Sequence, residues 1–450
     1  MRKRAVRRAA GVAILLIVLA VAAGAGAYAG VRKWRDHPIA TPSVAAPAGE
    51  EASAVAAPPS TPPSAAPVPS PTGVAAALRG PLADPRLGKR VFVEVRDVAS
   101  GDMLAGRGAA TPAPPASTAK LATALAVLAV HRTTDRITTR VVAGALPGTV
   151  VLVGGGDPTL TAAAPGKPGA YVGAARISDL ARQLRSVHVT RVEVDDGLFT
   201  GPAVSPYWAP EDVPSDYAAP ITASTVDGGR DTPGAVLRST APDLAAGRAL
   251  AAAIGVHVVA RGTAPPRART LASVESAPIG TLVEQMLQSS DNVLAESLAR
   301  QVALAEHQPA SFTGAAASVR AVLARLGVSI GTGLVDGSGL AAGDRLSADT
   351  LDRLLVLATK RTAVLDMLPV AAWSGTLADR FVRTAGAGVV RGKTGTLTSV
   401  STLAGLVQDK DGRLLAFALL ADRVGPTAQD TGQAEAAIDR AVSALATCGC

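Results

Sequence analysis

The chain has 450 residues, of which 48% are hydrophobic, 18% charged and 3% aromatic, with a net charge of +8. That balance excludes wholesale disorder and calls for a core built from Ala, Val and Leu. The charge does not point to nucleic acid either: eight of the 44 Lys and Arg residues precede Asp36, and the remaining 36 are matched by 36 acidic residues, whereas a nucleic-acid-binding body carries its own basic excess.

Arg2, Lys3, Arg4, Arg7, Arg8, Arg32, Lys33 and Arg35 bracket an uncharged apolar run from Ala9 to about Val31. Roughly 20 such residues cross a bilayer core, and the heavier basic flank at the start favours a cytoplasmic N-terminus. Ala25-Gly26-Ala27 and Ala27-Tyr28-Ala29 equally suit cleavage of a secretory signal. Residues 1–36 are therefore expected to be a membrane anchor or a signal, and either way the body is exported. Residues 37–87 begin as an almost unbroken Pro/Ala/Ser/Thr tract and are expected to form an extended linker.

Order is expected from Gly88. Val91, Val93 and Val95 alternate as in a strand, Ser100-Gly101-Asp102 supplies a turn, and Met103 can begin a returning strand. After Pro112, Pro114 and Pro115, residues 117–130 read as a buried Ala/Leu helix with Ser117 in its first turn. Over 135–277 short Val-rich pieces alternate with Gly, Pro and Asp turns, which predicts a β-rich insert. Helical texture returns at 281–306, 318–326 and 350–358. A hairpin of 402–408 and 414–420 follows, joined by Asp409-Lys410-Asp411-Gly412, and 429–445 read as a final helix. Cys448 and Cys450 cannot staple the body, and a bridge across one residue is expected to be strained, so they are read as incidental or as partners of another chain.

Lysine is scarce, eight against 36 arginines, and unlike arginine it can give up its proton. In Ser117-Thr118-Ala119-Lys120 the i, i+3 spacing puts both side chains on one helix face. A desolvated lysine can take the serine proton, and the helix N-terminus offers N–H groups to an oxyanion. Alone, the pattern equally describes a helix cap beside a solvated lysine. In Lys393-Thr394-Gly395-Thr396 a cation and two hydroxyls can meet a carboxylate, and Gly395 lets a substrate backbone approach the strand edge. The rival phosphate loop G-x-x-x-x-G-K-T fails at Ala387. Ser290-Asp291-Asn292 breaks the helical stretch, either as an N-cap or to point a hydroxyl and an amide into a cleft. Ser338, in Asp336-Gly337-Ser338-Gly339-Leu340, fails the G-x-S-x-G elbow. The five scattered histidines form no H-E-x-x-H, so neither a metal nor a cofactor is expected.

Taken together and in this order, S-x-x-K, S-D-N and K-T-G resemble the penicillin-recognising serine acyltransferases, the penicillin-binding proteins and serine β-lactamases. The long gap between Ser117 and Ser290 is similar to that of the class C low-molecular-mass penicillin-binding proteins, the D-alanyl-D-alanine carboxypeptidase/endopeptidase family. So are Leu152-Val153-Gly154-Gly155-Gly156-Asp157-Pro158-Thr159-Leu160, Val335-Asp336-Gly337-Ser338-Gly339-Leu340 and Gly375-Thr376-Leu377 with Arg380, which read from their residues only as tight turns.

The resemblance implies an α/β fold: a transpeptidase-like antiparallel sheet between helices, built from 88–134 and 278–446, with the β-rich insert of 135–277 protruding. It implies Ser117 as nucleophile on the bond between two terminal D-alanines of a peptidoglycan peptide, Lys120 as base, kept neutral partly by Lys393, and Ser290 as relay to the leaving amine. Asn292 would position Lys120 and the substrate amide, and Lys393, Thr394, Gly395 and Thr396 would bind the substrate end. The backbone N–H groups of Ser117 and Thr396 would form the oxyanion hole, and β-lactams would be covalent inhibitors. A serine β-lactamase and a catalytically silent wall-binding scaffold remain as alternatives. Tyr207, Trp208 and Tyr217 of the insert either contact substrate or pack as core.

Overall fold

The computed structural model describes residues 66–361 and 363–450. The anchor or signal expected over 1–36 and the first part of the expected linker lie outside these residues. Among the described residues no helix is long and apolar enough to cross a membrane.

The end of the expected linker is ordered, which moves the start of the body ahead of Gly88. Helix α1 spans Pro71–Arg79. Ser70 accepts from the Gly73 N–H, and Pro71 supplies the preset φ of a first helical residue. Val74 and Leu78, four apart, are buried. Composition alone hides this helix because its anchoring comes from packing against the body.

Strands β1 (Val91–Asp97) and β2 (Met103–Arg107) follow, then a short 3-10 turn, Ala116–Ala119, that runs into α2 (Lys120–Val130). The inserted region contains β3 (Thr138–Ala143), β4 (Thr149–Val153), α3 (Ile177–Gln183), β5 (Arg191–Asp195), α4 (Pro242–Ala253), β6 (Val259–Arg261) and β7 (Thr270–Glu275). The chain returns through helices α5 (Ile279–Ser289), α6 (Asn292–Ala305), α7 (Phe312–Arg325) and α8 (Ala348–Arg361). Strands β8 (Val390–Leu397), β9 (Val400–Gln408), β10 (Leu414–Ala421) and helix α9 (Ala428–Ala446) complete it.

The two ends of the body share one antiparallel sheet of order β2-β1-β10-β9-β8. Its two faces separate by the period-2 rule. Leu415, Phe417 and Leu419 face a core shared with α1 and α9, and Ala416, Ala418 and Leu420 face one shared with α2 and α5–α8. The sheet is thus sandwiched between helices, as the resemblance implied.

The insert is organised around a second five-stranded sheet of order β6-β5-β4-β3-β7. Here β4, β5 and β6 run parallel, a pairing that requires crossovers; α3 and α4 supply them, two helices the sequence reading left out. Cys448 and Cys450 are joined in a disulfide, so their partners are each other.

Candidate active site

Helix α2 begins against the edge strand β8, and this seam builds the first part of the site. Ala116 sits at φ +47, an uncommon region for a residue with a side chain, and turns the chain sharply into Ser117. The turn fits against β8 because position 395 is glycine: a Cβ there would collide with the Thr402 hydroxyl and crowd Pro115 O and Ala116 Cβ. Thr402 Oγ1 donates to Pro115 O at 2.9 Å and closes the seam. The close approach expected of Gly395 is therefore made by the protein's own backbone, and the residue is buried.

Lys120 is completely buried, and its ammonium donates to three acceptors: Ser117 Oγ at 2.8 Å, Asn292 Oδ1 at 2.6 Å and Ser338 O at 2.8 Å. That meets all three N–H bonds of the side chain. Asn292 opens α6 and passes its amide on to the Tyr217 carbonyl at 3.3 Å. Ser290, between α5 and α6, lies in the left-handed region at φ +58, and its Oγ accepts from Lys393 Nζ at 2.9 Å. Lys393 also donates to Thr394 O at 2.8 Å, and Thr394 Oγ1 donates to Thr376 Oγ1 at 2.8 Å. The expected residues are thus gathered in two sets, Ser117–Lys120–Asn292 and Ser290–Lys393–Thr394, joined through the two-residue step from Ser290 to Asn292. Thr396 is exposed, and its hydroxyl donates to Glu435 of α9 at 2.7 Å.

Burial lowers the basicity of Lys120, bringing its pKa from 10.5 to about 8, against the opposing pull of Asp336, Asp291, Glu296 and Asp344. Lys393 is pushed well below its ordinary value, first by burial and then by the charges of Lys120 and Arg380. Lys393 was expected to contribute in part to keeping Lys120 neutral; burial is the main cause for Lys120, and repulsion between the two ammoniums opposes charging both at once. A carboxylate arriving beside Lys393 would restore its charge.

Several contributors were not assigned from sequence. Asp336 is fully buried and accepts from the N–H groups of Ser338, Gly339 and Ala341 and from Trp208 Nε1 at 2.8 Å. It shapes the loop whose Ser338 carbonyl receives Lys120. Glu296, pushed up to about 7 by burial and then by Asp336, accepts from the Gly337 N–H on the same loop. The D-G-S-G string was the one local signal for this loop. Trp208, packed edge-to-face on Phe312 at 5.1 Å, is core. Thr376 lay in the family-like Gly375-Thr376-Leu377 stretch, which its residues alone marked only as a turn; nothing near Glu435, Tyr171 or Arg238 marked them.

This geometry offers a serine hydroxyl with a basicity-lowered amine in contact, and a second hydroxyl held by a second lysine: equipment for acyl transfer. The comparisons agree. Residues 74–236 and 231–445 match the D-Ala-D-Ala carboxypeptidase 3 (S13) family. The chain belongs to this family. It is 42% identical to carboxypeptidase DacB of Mycolicibacterium smegmatis, over 100% of this chain and 98% of that protein. A carboxypeptidase of Mycobacterium tuberculosis is 43% identical over 84% of each. Penicillin-binding protein 4 (dacB) from Haemophilus influenzae shares the fold, with TM-score 0.67 and 19% identity over 82% of this chain and 98% of that one.

Proposed function

We propose that this member of the S13 family is a serine-type D-alanyl-D-alanine carboxypeptidase that acts on peptidoglycan stem peptides through an ester on Ser117. The observation that carries the reading is Lys120 Nζ, buried and 2.8 Å from Ser117 Oγ. In its neutral form Lys120 accepts the hydroxyl proton as Oγ bonds to the carbonyl carbon between the two D-alanines. The N–H groups of Ser117 and Thr396 receive the oxyanion. As the C–N bond breaks, Ser290 gives its proton to the leaving amine and is reprotonated by the Lys120 ammonium, so that the net transfer is from Ser117 to D-alanine and Lys120 is neutral again. Lys393, Thr394 and Thr396 hold the terminal carboxylate, and Asn292 keeps Lys120 in place. Water then adds to the ester and gives up its proton to Lys120, which returns it to Ser117 Oγ as the ester C–O bond breaks and the shortened peptide leaves.

A β-lactam presents a reactive amide to the same hydroxyl and acylates it. A crosslinked stem is cut by the same chemistry when the leaving side admits a second peptide. The apolar run between basic flanks, followed by the Pro-rich tract, supports a body held at the outer face of the cytoplasmic membrane or released into the wall.

The test is intact-protein mass spectrometry after brief exposure to benzylpenicillin, beside Ser117→Ala. One stable adduct on Ser117, absent from the variant, is the expected result. Consumption of penicillin without an adduct would make the chain a β-lactamase; intact penicillin and no adduct would make it a silent scaffold.

A further inference from the structure

The middle residue of Ser290-Asp291-Asn292 has no place in the chemistry above, yet its carboxylate is held more firmly than a helix cap requires. Asp291 Oδ1 accepts from the Leu294 N–H at 2.9 Å, which completes the N-cap of α6. Its Oδ2 accepts two further bonds, from Tyr171 OH at 2.7 Å and Arg238 Nη2 at 3.1 Å. Both donors come from the insert. The Arg238 and Asp291 side chains are 4% and 8% exposed, so water does not weaken the pair as it weakens a surface ion pair. Burial pushes the Asp291 carboxyl up, but Arg238, the Leu294 N–H and Tyr171 outweigh it and hold the group ionised, at about 2.

Arg238 is itself fixed. Its Nη1 donates to Gly228 O at 2.5 Å and its Nε to Asp216 O at 3.2 Å. Gly228 stands at φ +69, and a Cβ there would collide with the Tyr171 hydroxyl. The residue after Asp216 is Tyr217, whose carbonyl receives Asn292. One guanidinium therefore ties down both the carboxylate between Ser290 and Asn292 and the segment on which the Asn292 amide rests. The left-handed turn at Ser290 is a conformation that persists only when its surroundings dictate it.

We infer that Tyr171 and Arg238 are positioning residues for acyl transfer: by clamping Asp291 they fix the turn that aims Ser290 at Lys393 and Asn292 at Lys120. The inference rests on the function proposed above. It makes the insert part of the machinery that sets both lysines, in addition to any surface it offers to substrate. Charge enters as well. Lys120 faces the acidic side chains of Asp291, Asp336, Glu296 and Asp344 as well as the amine of Lys393. Arg238 offsets one of those negative charges, and without it Lys120 would release its proton at higher pH.

The experiment follows acylation of the full-length chain by benzylpenicillin across pH, with thermal unfolding recorded for each variant. Tyr171→Phe, which deletes one oxygen, and Arg238→Lys, which keeps the charge but loses the fork, are each expected to slow acylation about tenfold without moving the pH midpoint. Arg238→Gln is expected to slow it further and to move the midpoint up by about half a unit or more. A residue that served only stability would lower the unfolding temperature and leave rate and midpoint at wild-type values in folded protein; that result overturns the inference. Should Arg238→Gln not fold, the other two variants decide. Absence of any adduct on the wild type would defeat the proposed function and this inference with it, whereas a normal wild type with unaffected variants defeats the inference alone.

Discussion

The two five-stranded sheets of this molecule are built to different standards. In the sheet that carries Lys393, β9 is buried at every position but its last and β10 at every position but its first. In the insert only the central β4 is buried to that degree; β3 exposes Thr138 and Arg140, β7 exposes Thr270, Ser273 and Glu275, and Val141, Leu152, Val192 and Ala272 pack on α3 and α4. The first arrangement suits reacting groups, because helices on both faces leave the strands little room to shift. The second suits a part that acts on the site through a few directed bonds: Trp208 on Asp336, Tyr217 O on Asn292, Tyr171 and Arg238 on Asp291. The chemistry hangs on the rigid frame, and the insert trims its aim.

Substitutions can break or sharpen this contrast. Lys120→Arg, in the frame, should have the largest effect: a guanidinium cannot act as the base, and acylation by benzylpenicillin should fall by about 10³-fold or more. In the wild type that rate should climb through about pH 8 as Lys120 loses its proton; a rate flat from pH 6 to 9 would remove Lys120 from the base role. Gly395→Ala comes next. Its methyl would press on Pro115 and Ala116, shift Ser117 and slow acylation by about 10²-fold. Trp208→Phe, reaching in from the insert, keeps the ring contact but deprives Asp336 of a donor. It should cost about 1–3 kcal/mol in urea denaturation and reduce acylation by less than the frame variants do. If it instead matched Lys120→Arg, the division of labour would be wrong.

Asp352 of α8 tests the frame away from the chemistry. It is fully buried, neither oxygen has a hydrogen-bond partner among the described residues, and burial, then Glu94, raises its pKa well above the ordinary value. The folded form keeps a proton that the unfolded form releases, so the group destabilises progressively as pH rises from about 4 toward the folded pKa. Asp352→Asn should remove that loss, gaining on the order of 1 kcal/mol or more at pH 8 relative to pH 4, with acylation unchanged. The smallest effect belongs to Glu435→Gln. Thr396 then donates to a neutral amide in place of a carboxylate, its hydroxyl turns more readily to substrate, and KM for a D-Ala-D-Ala peptide should drop about threefold.

Much of this was legible in the sequence, for identifiable reasons. Ser117 and Lys120 meet because an i, i+3 spacing needs no tertiary information. The hairpin was readable because Asp409 receives the Asp411 and Arg413 N–H groups locally and Gly412 takes φ +89. Val91, Val93 and Val95 do face one core, as their alternation indicated. What could not be read depends on contacts made across long separations. Helix α1 exists because Val74 and Leu78 find α9 and β2, while its Ala-rich sequence beside a Pro-rich tract looks like more linker. The parallel pairing of β4, β5 and β6 carries no mark in the strands themselves. The clamp of Tyr171 and Arg238 on Asp291 joins residues 120 and 53 positions apart, with no pattern at either end to announce it.

The join between the two ends of the described chain has a mechanical consequence. Ser70 donates to the carbonyl of Cys450, Arg413 reaches Ala66 O, and α1 packs on β2 and α9. The described chain therefore starts and finishes at one spot, beside the β9–β10 turn, where Gly449 lies against Lys410 and Asp411 and Arg413 meets Ala66. Tension arriving through the residues before Ala66 would load α1 in shear against its neighbours and be borne there, leaving the edge that holds Lys393 slack.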